Sequence, residues 1–308
     1  MKKTLITIFA AFALFASTAK ADIALSENLT MYGYLDFWLD GFDSDTANSG
    51  NDLGVQELEI GFAWADDGPW SAVYELSVDG GDDFAVGGES TAVATETATV
   101  TYAASDSLSY TMGNILSYQG FEAFDATGLY QYSYSGVDGG ALYSAAYAFG
   151  GSVDYATDDY SLGFWIGDNG GNASYEYLYA YTAIPDVTIK FIYADDPGYE
   201  STNVWGSYDM GDYTFAAEYY EDQQVGFLET DTTMFLVYKA MGDAGLTVRF
   251  VDGSDYNSDG ALVNYERLTF SPSYAFSDSV FGLVEFTFEE EEGGKAGEEF
   301  AAEIIYSF

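Results

Sequence analysis

The sequence predicts an all-β fold: a transmembrane antiparallel β-barrel of about 16 strands with a long loop after the fifth strand. Three observations predict this fold. Segments of roughly ten residues alternate apolar and polar side chains, the connections between them are alternately short and long, and the last segment ends on an aromatic residue. Such alternation over about ten residues is the signature of a strand with one face in lipid and the other in a polar lumen.

The first 21 residues are predicted to be a cleaved signal peptide. Lys2 and Lys3 precede the apolar run Leu5 to Phe15, and a small-residue cleavage site follows at Ala19 to Ala21. This order is typical of a secretory leader, and the apolar run is too short for a helix that spans a bilayer, which needs about 20 residues. We therefore expect residues 22–308 to form one exported barrel domain.

The composition excludes several classes of protein. The chain has no Cys and no His, so thiol nucleophiles and imidazole bases are absent and we do not expect an enzyme. It has 51 acidic and 8 basic residues. Nucleic acid is not expected as a partner, because binding its phosphate backbone needs a Lys/Arg surface. Two explanations of the acidity stay open: solubility in salty water, or selection of ions by charge.

The connections predict the number of strands. Seven short and eight longer connections imply 16 strands, an even number, with both chain ends on the side of the short turns. A barrel of about 16 strands leaves an aqueous channel rather than a packed interior. Short turns are expected near residues 65–69, 105–107, 157–159, 184–186, 211–212, 241–245 and 277–278, and longer connections near residues 41–52, 80–92, 116–149, 168–172, 195–202, 222–230, 253–260 and 289–298.

The last predicted strand, residues 299–308, shows the alternation best. Phe300, Ile304, Tyr306 and Phe308 fall on one face, whereas Glu303 falls on the other. A terminal strand that ends in Phe resembles the assembly signal of outer-membrane barrels. This resemblance implies the outer membrane of a Gram-negative bacterium as the location, with its lipid, lipopolysaccharide and barrel assembly machinery as partners.

The longest connection follows a motif-like passage from Tyr110 to Ser135. A strand ending in Gly-Asn leads into a loop with Gly-Phe-Glu at residues 120–122 and Tyr-Gln-Tyr-Ser at residues 130–133. The passage resembles the strand-into-loop region of the OmpL-like β-barrel porins, and the opening strand Met31 to Phe37 resembles the first strand of many porins. The resemblance implies a passive pore narrowed by an inward-folded loop, and general porins suggest a homotrimer.

Alternation also assigns charged side chains to the lumen. If the long loop folds into the barrel, basic side chains on the later strands would face acidic side chains on the early strands across a constriction. Two more acidic residues lie on the loop itself. Because acid is in excess, we expect the constriction to prefer cations; salt bridges within the wall are the alternative. The basic residues are Lys190, Lys239, Arg249 and Arg267, and the acidic ones are Asp36, Glu57, Glu59, Glu75, Glu122 and Asp125.

A calcium-loop pattern occurs between Asp255 and Glu266. Asp255, Asn257, Asp259 and Glu266 stand at the spacing of oxygen ligands in an EF-hand loop. An EF-hand needs flanking helices, however, and residues 262–270 read as a strand that carries Glu266 away from the others. Chance is the better explanation, and no cofactor is expected.

Two alternatives to a general pore stay open. One is a structural or adhesive barrel whose acidic loops bind divalent ions. The other is a sugar-specific channel, for which a ladder of lumenal aromatic side chains such as Tyr32, Tyr34 and Trp38 is the sequence feature.

Overall fold

The computed structural model describes residues 22–44, 50–79, 92–122, 124–143, 147–169, 171–256, 261–292 and 295–308. The predicted signal peptide lies outside these residues. Among the residues described, no helix has the length and apolar character needed to cross a bilayer.

One short strand precedes sixteen long ones. Each long strand pairs antiparallel with its neighbours along the chain, and the last pairs with the first, so that the sheet closes on itself. Closure leaves no unpaired sheet edge, as a bilayer requires. The predicted antiparallel barrel of 16 strands is confirmed. The strands are β1 Ile23–Ala24, β2 Leu29–Ser44, β3 Gly50–Ala65, β4 Trp70–Asp79, β5 Ala92–Ala103, β6 Leu108–Leu116, β7 Tyr147–Ala156, β8 Tyr160–Asn169, β9 Asn172–Tyr181, β10 Val187–Asp196, β11 Tyr199–Met210, β12 Tyr213–Gln224, β13 Thr230–Met241, β14 Ala244–Tyr256, β15 Leu262–Ser277, β16 Val280–Glu291 and β17 Lys295–Ser307.

The two ends of the barrel differ. All seven predicted short turns lie at one end, here termed the turn end, and the other connections lie at the loop end. Two predicted longer connections are wrong, because β8 to β9 and β10 to β11 are each joined by only two residues. Gly171 and Gly198 have φ of 90° and 87° there. Glycine adopts this conformation without steric cost and so permits a two-residue turn. The polar residues on either side, which were predicted to form a loop, therefore belong to the strands.

The outer face of the barrel is apolar. Phe191, Phe235 and Ile304 point outward and are 45%, 54% and 50% exposed. Aromatic side chains also surround the turn end, which is typical of a barrel wall at a membrane interface. These exposed aromatic residues include Trp70, Tyr102, Tyr110, Tyr155, Tyr208, Tyr274 and Tyr306.

The side chains of the final strand lie on the predicted sides of the barrel wall. Phe300, Ile304 and Tyr306 lie outside and Glu303 inside. Phe308 exchanges two backbone hydrogen bonds of 2.9 Å with Gly33. The role of this strand as an assembly signal stays a prediction.

The inner loop, residues 117–146 between β6 and β7, folds into the barrel. Its described residues include Phe121, Tyr130 and Val137, which form a buried apolar cluster with inner side chains of β10–β14 such as Met234 and Leu236. The expectation of a polar inner face is therefore wrong for this part of the wall. The reason is that the wall packs against the loop rather than against water, so burial favours apolar residues there.

Candidate functional site

Three buried glutamates hold the inner loop against one side of the lumen. Each lies on the inner face of its strand, and each accepts a backbone N–H from the loop. A buried carboxylate needs such donors because its desolvation is otherwise uncompensated. The bonds are Tyr118 N to Glu176 at 2.7 Å, Phe121 N to Glu218 at 2.9 Å and Tyr132 N to Glu285 at 2.8 Å.

The Glu218 carboxylate also orders the end of the loop. The Tyr143 hydroxyl donates to its second oxygen at 2.7 Å, and Asn203 Nδ2 donates to the first at 2.7 Å. Burial, with Glu218 nearby, raises the pKa of the Tyr143 hydroxyl well above its ordinary value. The hydroxyl therefore remains protonated and keeps donating.

Arg249 binds the loop through a buried ion pair. Its Nη1 lies 2.5 Å from Glu122 Oε1, and the two side chains are 0% and 1% exposed. Arg249 also donates to the Ser133 carbonyl at 2.7 Å. The second Glu122 oxygen accepts from Ser135 N at 2.9 Å. Glu122 and Arg249, both predicted to line the lumen, thus contact each other directly instead of facing each other across an opening.

Arg267, the second predicted arginine, is paired as well. It forms ion pairs with Glu289 and, at 2.9 Å, with Glu299. Its side chain is 0% exposed. The positive charges of both arginines are therefore compensated by neighbouring carboxylates and do not face open lumen.

The two predicted lysines have different positions. Lys190 is on the inner face, with its Nζ 4.8 Å from the ring centroid of Trp205. Lys239 is on the outer face near the turn end, with its Nζ 5.0 Å from the ring of Tyr213, so its predicted lumenal position is wrong. The neighbours Leu236 and Tyr238 face inward, so Lys239 next to Tyr238 faces outward. A lysine this near the strand end reaches the membrane surface with its ammonium group.

The acidic residues of β2–β4 form a wall that is separated from the arginine strands β14 and β15 by β16 and β17. Glu57, Glu59 and Glu75 all face inward, as predicted. The Tyr34 hydroxyl donates to Glu57 at 2.5 Å, and the Tyr32 hydroxyl donates to Glu75. These bonds orient carboxylates that remain partly exposed to the lumen.

Asp36 also faces inward but does not line an opening. It is 0% exposed, and neither of its carboxylate oxygens has a hydrogen-bond partner among the described residues. Asp36 therefore does not face lumenal water.

Asp125 extends from the inner loop toward the acidic wall. Carboxylate oxygens of Glu59, Glu96 and Asp125 all lie within 4.8 Å of one another. Glu96 was not predicted from the sequence, because a β-bulge between β4 and β5 shifts the register beside Glu75. Glu96 and Asp125 are partly exposed, whereas the arginines are not. Glu96 and Asp125 therefore contact lumenal water, as does the partly exposed Lys190 on β10, whereas the two arginines do not.

The predicted calcium loop is wrong for Asp255 and Glu266, the two of its four ligands that lie within the described residues. Asp255 pairs with Val263 and shares its inner face, whereas Glu266 is three residues further along β15 on the outer face. The two side chains thus point to opposite sides of the sheet and cannot bind one ion. Asn257 and Asp259 lie outside the described residues.

The barrel matches solved structures of outer-membrane porins. OmpF of Salmonella typhi in complex with daunomycin gives a TM-score of 0.69 at 16% identity, over 93% of this chain and 100% of that chain. This chain has the porin fold. The anion-selective porin from Comamonas acidovorans gives 0.69 at 15% identity, over 91% and 99%. The trimer form of OmpT, an outer membrane protein of Vibrio cholerae, gives 0.67 at 12% identity, over 91% and 99%.

No protein-family model and no curated protein matches the sequence. The porin fold is thus established by structural similarity at low identity, and the side chains of this lumen have to be interpreted on their own chemistry.

Proposed function

We propose that this protein is a porin of a Gram-negative outer membrane that lets small hydrophilic solutes and ions diffuse passively and prefers cations. The observation that carries the proposal is the division of the lumen. The arginines are buried in ion pairs on one side, whereas Asp125 and the acidic wall retain access to water on the other. A wall with one sign of charge raises the local concentration of ions of opposite sign.

The inner loop supports the size limit of the proposed pore. It packs against β10–β14 with a buried apolar cluster and with hydrogen bonds to wall glutamates. A loop anchored in this way has a fixed position, so it restricts the lumen to the space beside the acidic wall. We propose no enzymatic activity, since size exclusion and charge account for this arrangement.

The test is reversal-potential measurement on the refolded protein in a planar bilayer under a tenfold KCl gradient. Ideal cation selectivity gives about 60 mV, since a tenfold ratio is worth 1.4 kcal/mol and 100 mV about 2.3 kcal/mol per charge. We expect a potential of the cation-selective sign, reduced in the Glu57→Gln/Glu75→Gln variant.

A matched control removes two acidic charges from outside the lumen. Glu229 and Glu290 are exposed on the loop end and on the outer face, so Glu229→Gln/Glu290→Gln should leave the potential unchanged. Anion selectivity, or equal effects of the two double variants, contradicts the charge argument. A folded protein that never conducts contradicts the pore itself and favours a structural or adhesive barrel.

The porin family, the oligomeric state and the partners of this protein are also proposals. Membership of the OmpL-like porins rests on the motif from Tyr110 to Ser135, and a homotrimer rests on the porin fold. Outer-membrane lipid, lipopolysaccharide and the barrel assembly machinery follow from the location. A sugar-specific channel is less favoured, because the hydroxyls of Tyr32 and Tyr34 are bound to carboxylates rather than free to bind a sugar.

A further inference from the structure

We propose that Glu59, Glu96 and Asp125 form a binding site for a divalent cation of the size of calcium inside the lumen. The site deepens the proposed function, because an ion bound there would adjust the current, but binding itself does not depend on conduction. Two residues come from the wall, on β3 and β5, and one from the inner loop.

The spacing of the three carboxylates fits one calcium ion. Their nearest oxygens lie within 4.8 Å of one another. Calcium binds oxygen at about 2.3–2.6 Å, so two ligands on opposite sides of the ion are up to about 5 Å apart. Magnesium binds at about 2.0–2.1 Å and would require the oxygens to approach to about 4.2 Å or less. The limit of 4.8 Å is compatible with calcium, and three protein carboxylates suit calcium better than magnesium, which dehydrates reluctantly and usually binds through only one or two carboxylates.

The hydrogen bonding of the cluster gives an independent reason for a ligand. Glu59 is 4% exposed, and within the described part of the chain no donor reaches its carboxylate. Glu96 Oε2 is buried and has no hydrogen-bond partner among the described residues. Burying a carboxylate without donors is costly, and a metal ion is one of the groups that compensates it.

The other buried glutamates of the same lumen show the contrast. Glu176 accepts two hydrogen bonds, from Ser117 Oγ and Tyr118 N. Glu218 accepts three and Glu285 four. Among the described residues, the chain thus supplies hydrogen-bond donors to these three carboxylates but not to that of Glu59.

Charge in the surroundings also favours a cation. The strongest charge interactions of Glu59 and Glu96 are with acidic groups, among them Glu57, Glu75 and Asp125. Mutual repulsion among them is relieved by a divalent ion. Because Asp125 belongs to the loop, the ion would fasten the loop to the acidic wall, in addition to the attachment of the loop to Arg249.

The experiment is calorimetric titration of calcium chloride into the metal-free, refolded full-length barrel in detergent at pH 7. We expect one saturable site, weaker binding of magnesium, and at least a tenfold loss of calcium affinity in Glu59→Gln/Glu96→Gln. The Glu229→Gln/Glu290→Gln control should bind as the wild type does. Folding of each variant is checked by its shift in electrophoretic mobility on heating.

A second readout covers a variant that fails to fold. Terbium replaces calcium, and its luminescence is sensitised by nearby tyrosines, so calcium should displace terbium from the wild-type protein and quench the signal. No saturable calcium binding to the wild type, or unchanged binding by the folded variant, overturns the site. A protein that conducts but does not bind calcium rejects this site and supports the proposed pore. A protein that binds calcium but does not conduct supports the site and rejects the pore.

Discussion

Replacing Glu122 by glutamine removes the only negative charge that contacts Arg249 among the described residues, while it keeps the size of the side chain. Both side chains are buried, so Arg249 is left as an uncompensated charge inside the barrel. Breaking a buried ion pair in this way costs about 3–5 kcal/mol. The Ser135 N–H also loses a charged acceptor. We therefore expect Glu122→Gln to lower the free energy of unfolding by about 3–5 kcal/mol.

The assay is urea unfolding of the barrel in lipid vesicles, followed by tryptophan fluorescence. The matched control removes both charges, in Glu122→Gln/Arg249→Met. Exchanging a whole buried pair for neutral groups is often close to neutral, so the double variant should be more stable than Glu122→Gln alone. A loosened loop should also raise single-channel conductance in Glu122→Gln.

Two results would refute this reasoning. A cost below about 1 kcal/mol for Glu122→Gln would mean that the pair behaves like a solvent-exposed one. A double variant that loses the sum of both single losses would mean that the two side chains act independently rather than as a pair.

Two further changes test the positions of single residues. Gly120 has φ of 101°, and a Cβ there would lie 2.4 Å from the ring of Tyr143. Gly120→Ala should therefore destabilise the protein by about 1–3 kcal/mol or more and lower the midpoint of urea unfolding. An unchanged midpoint would contradict the packing of the loop. Lys190→Gln removes a lumenal positive charge and should make the reversal potential more cation-selective, whereas Lys239→Gln, on the outer face, should leave it unchanged; the opposite pattern would contradict the assigned faces.

The sequence predicted those parts of the barrel in which alternation is unambiguous. Residues 246–250 and 267–271 alternate between apolar and polar side chains, and Arg249 and Arg267 within them face inward as expected. Around Lys239 the residues 234–238 are all apolar, so either face could have been the outer one. Burial of Met234 under the inner loop decides the facing, and that contact is not visible in the local pattern.

The site was predictable only in part for the same physical reason. Glu57, Glu59 and Glu75 lie on one regular face, whereas Glu96 follows a bulge that breaks the periodicity. Glu176, Glu218 and Glu285 also lie at inward positions of alternating strands. Alternation could have identified them as lumenal, but their role in holding the loop requires knowing where the loop lies.

The attachment of the loop also explains how a chain with so few basic residues can form an electrically asymmetric pore. The two buried arginines form ion pairs with Glu122, Glu289 and Glu299. They therefore stabilise the fold without adding uncompensated positive charge to the lumen. The pair between Arg249 and Glu122 holds the loop on the arginine side, while Asp125 of the same loop lies beside Glu59 of the acidic wall. Weakening the arginine attachment should therefore change stability and selectivity together. Neutralising the acidic wall should change selectivity alone, and this difference separates the two halves of the lumen experimentally.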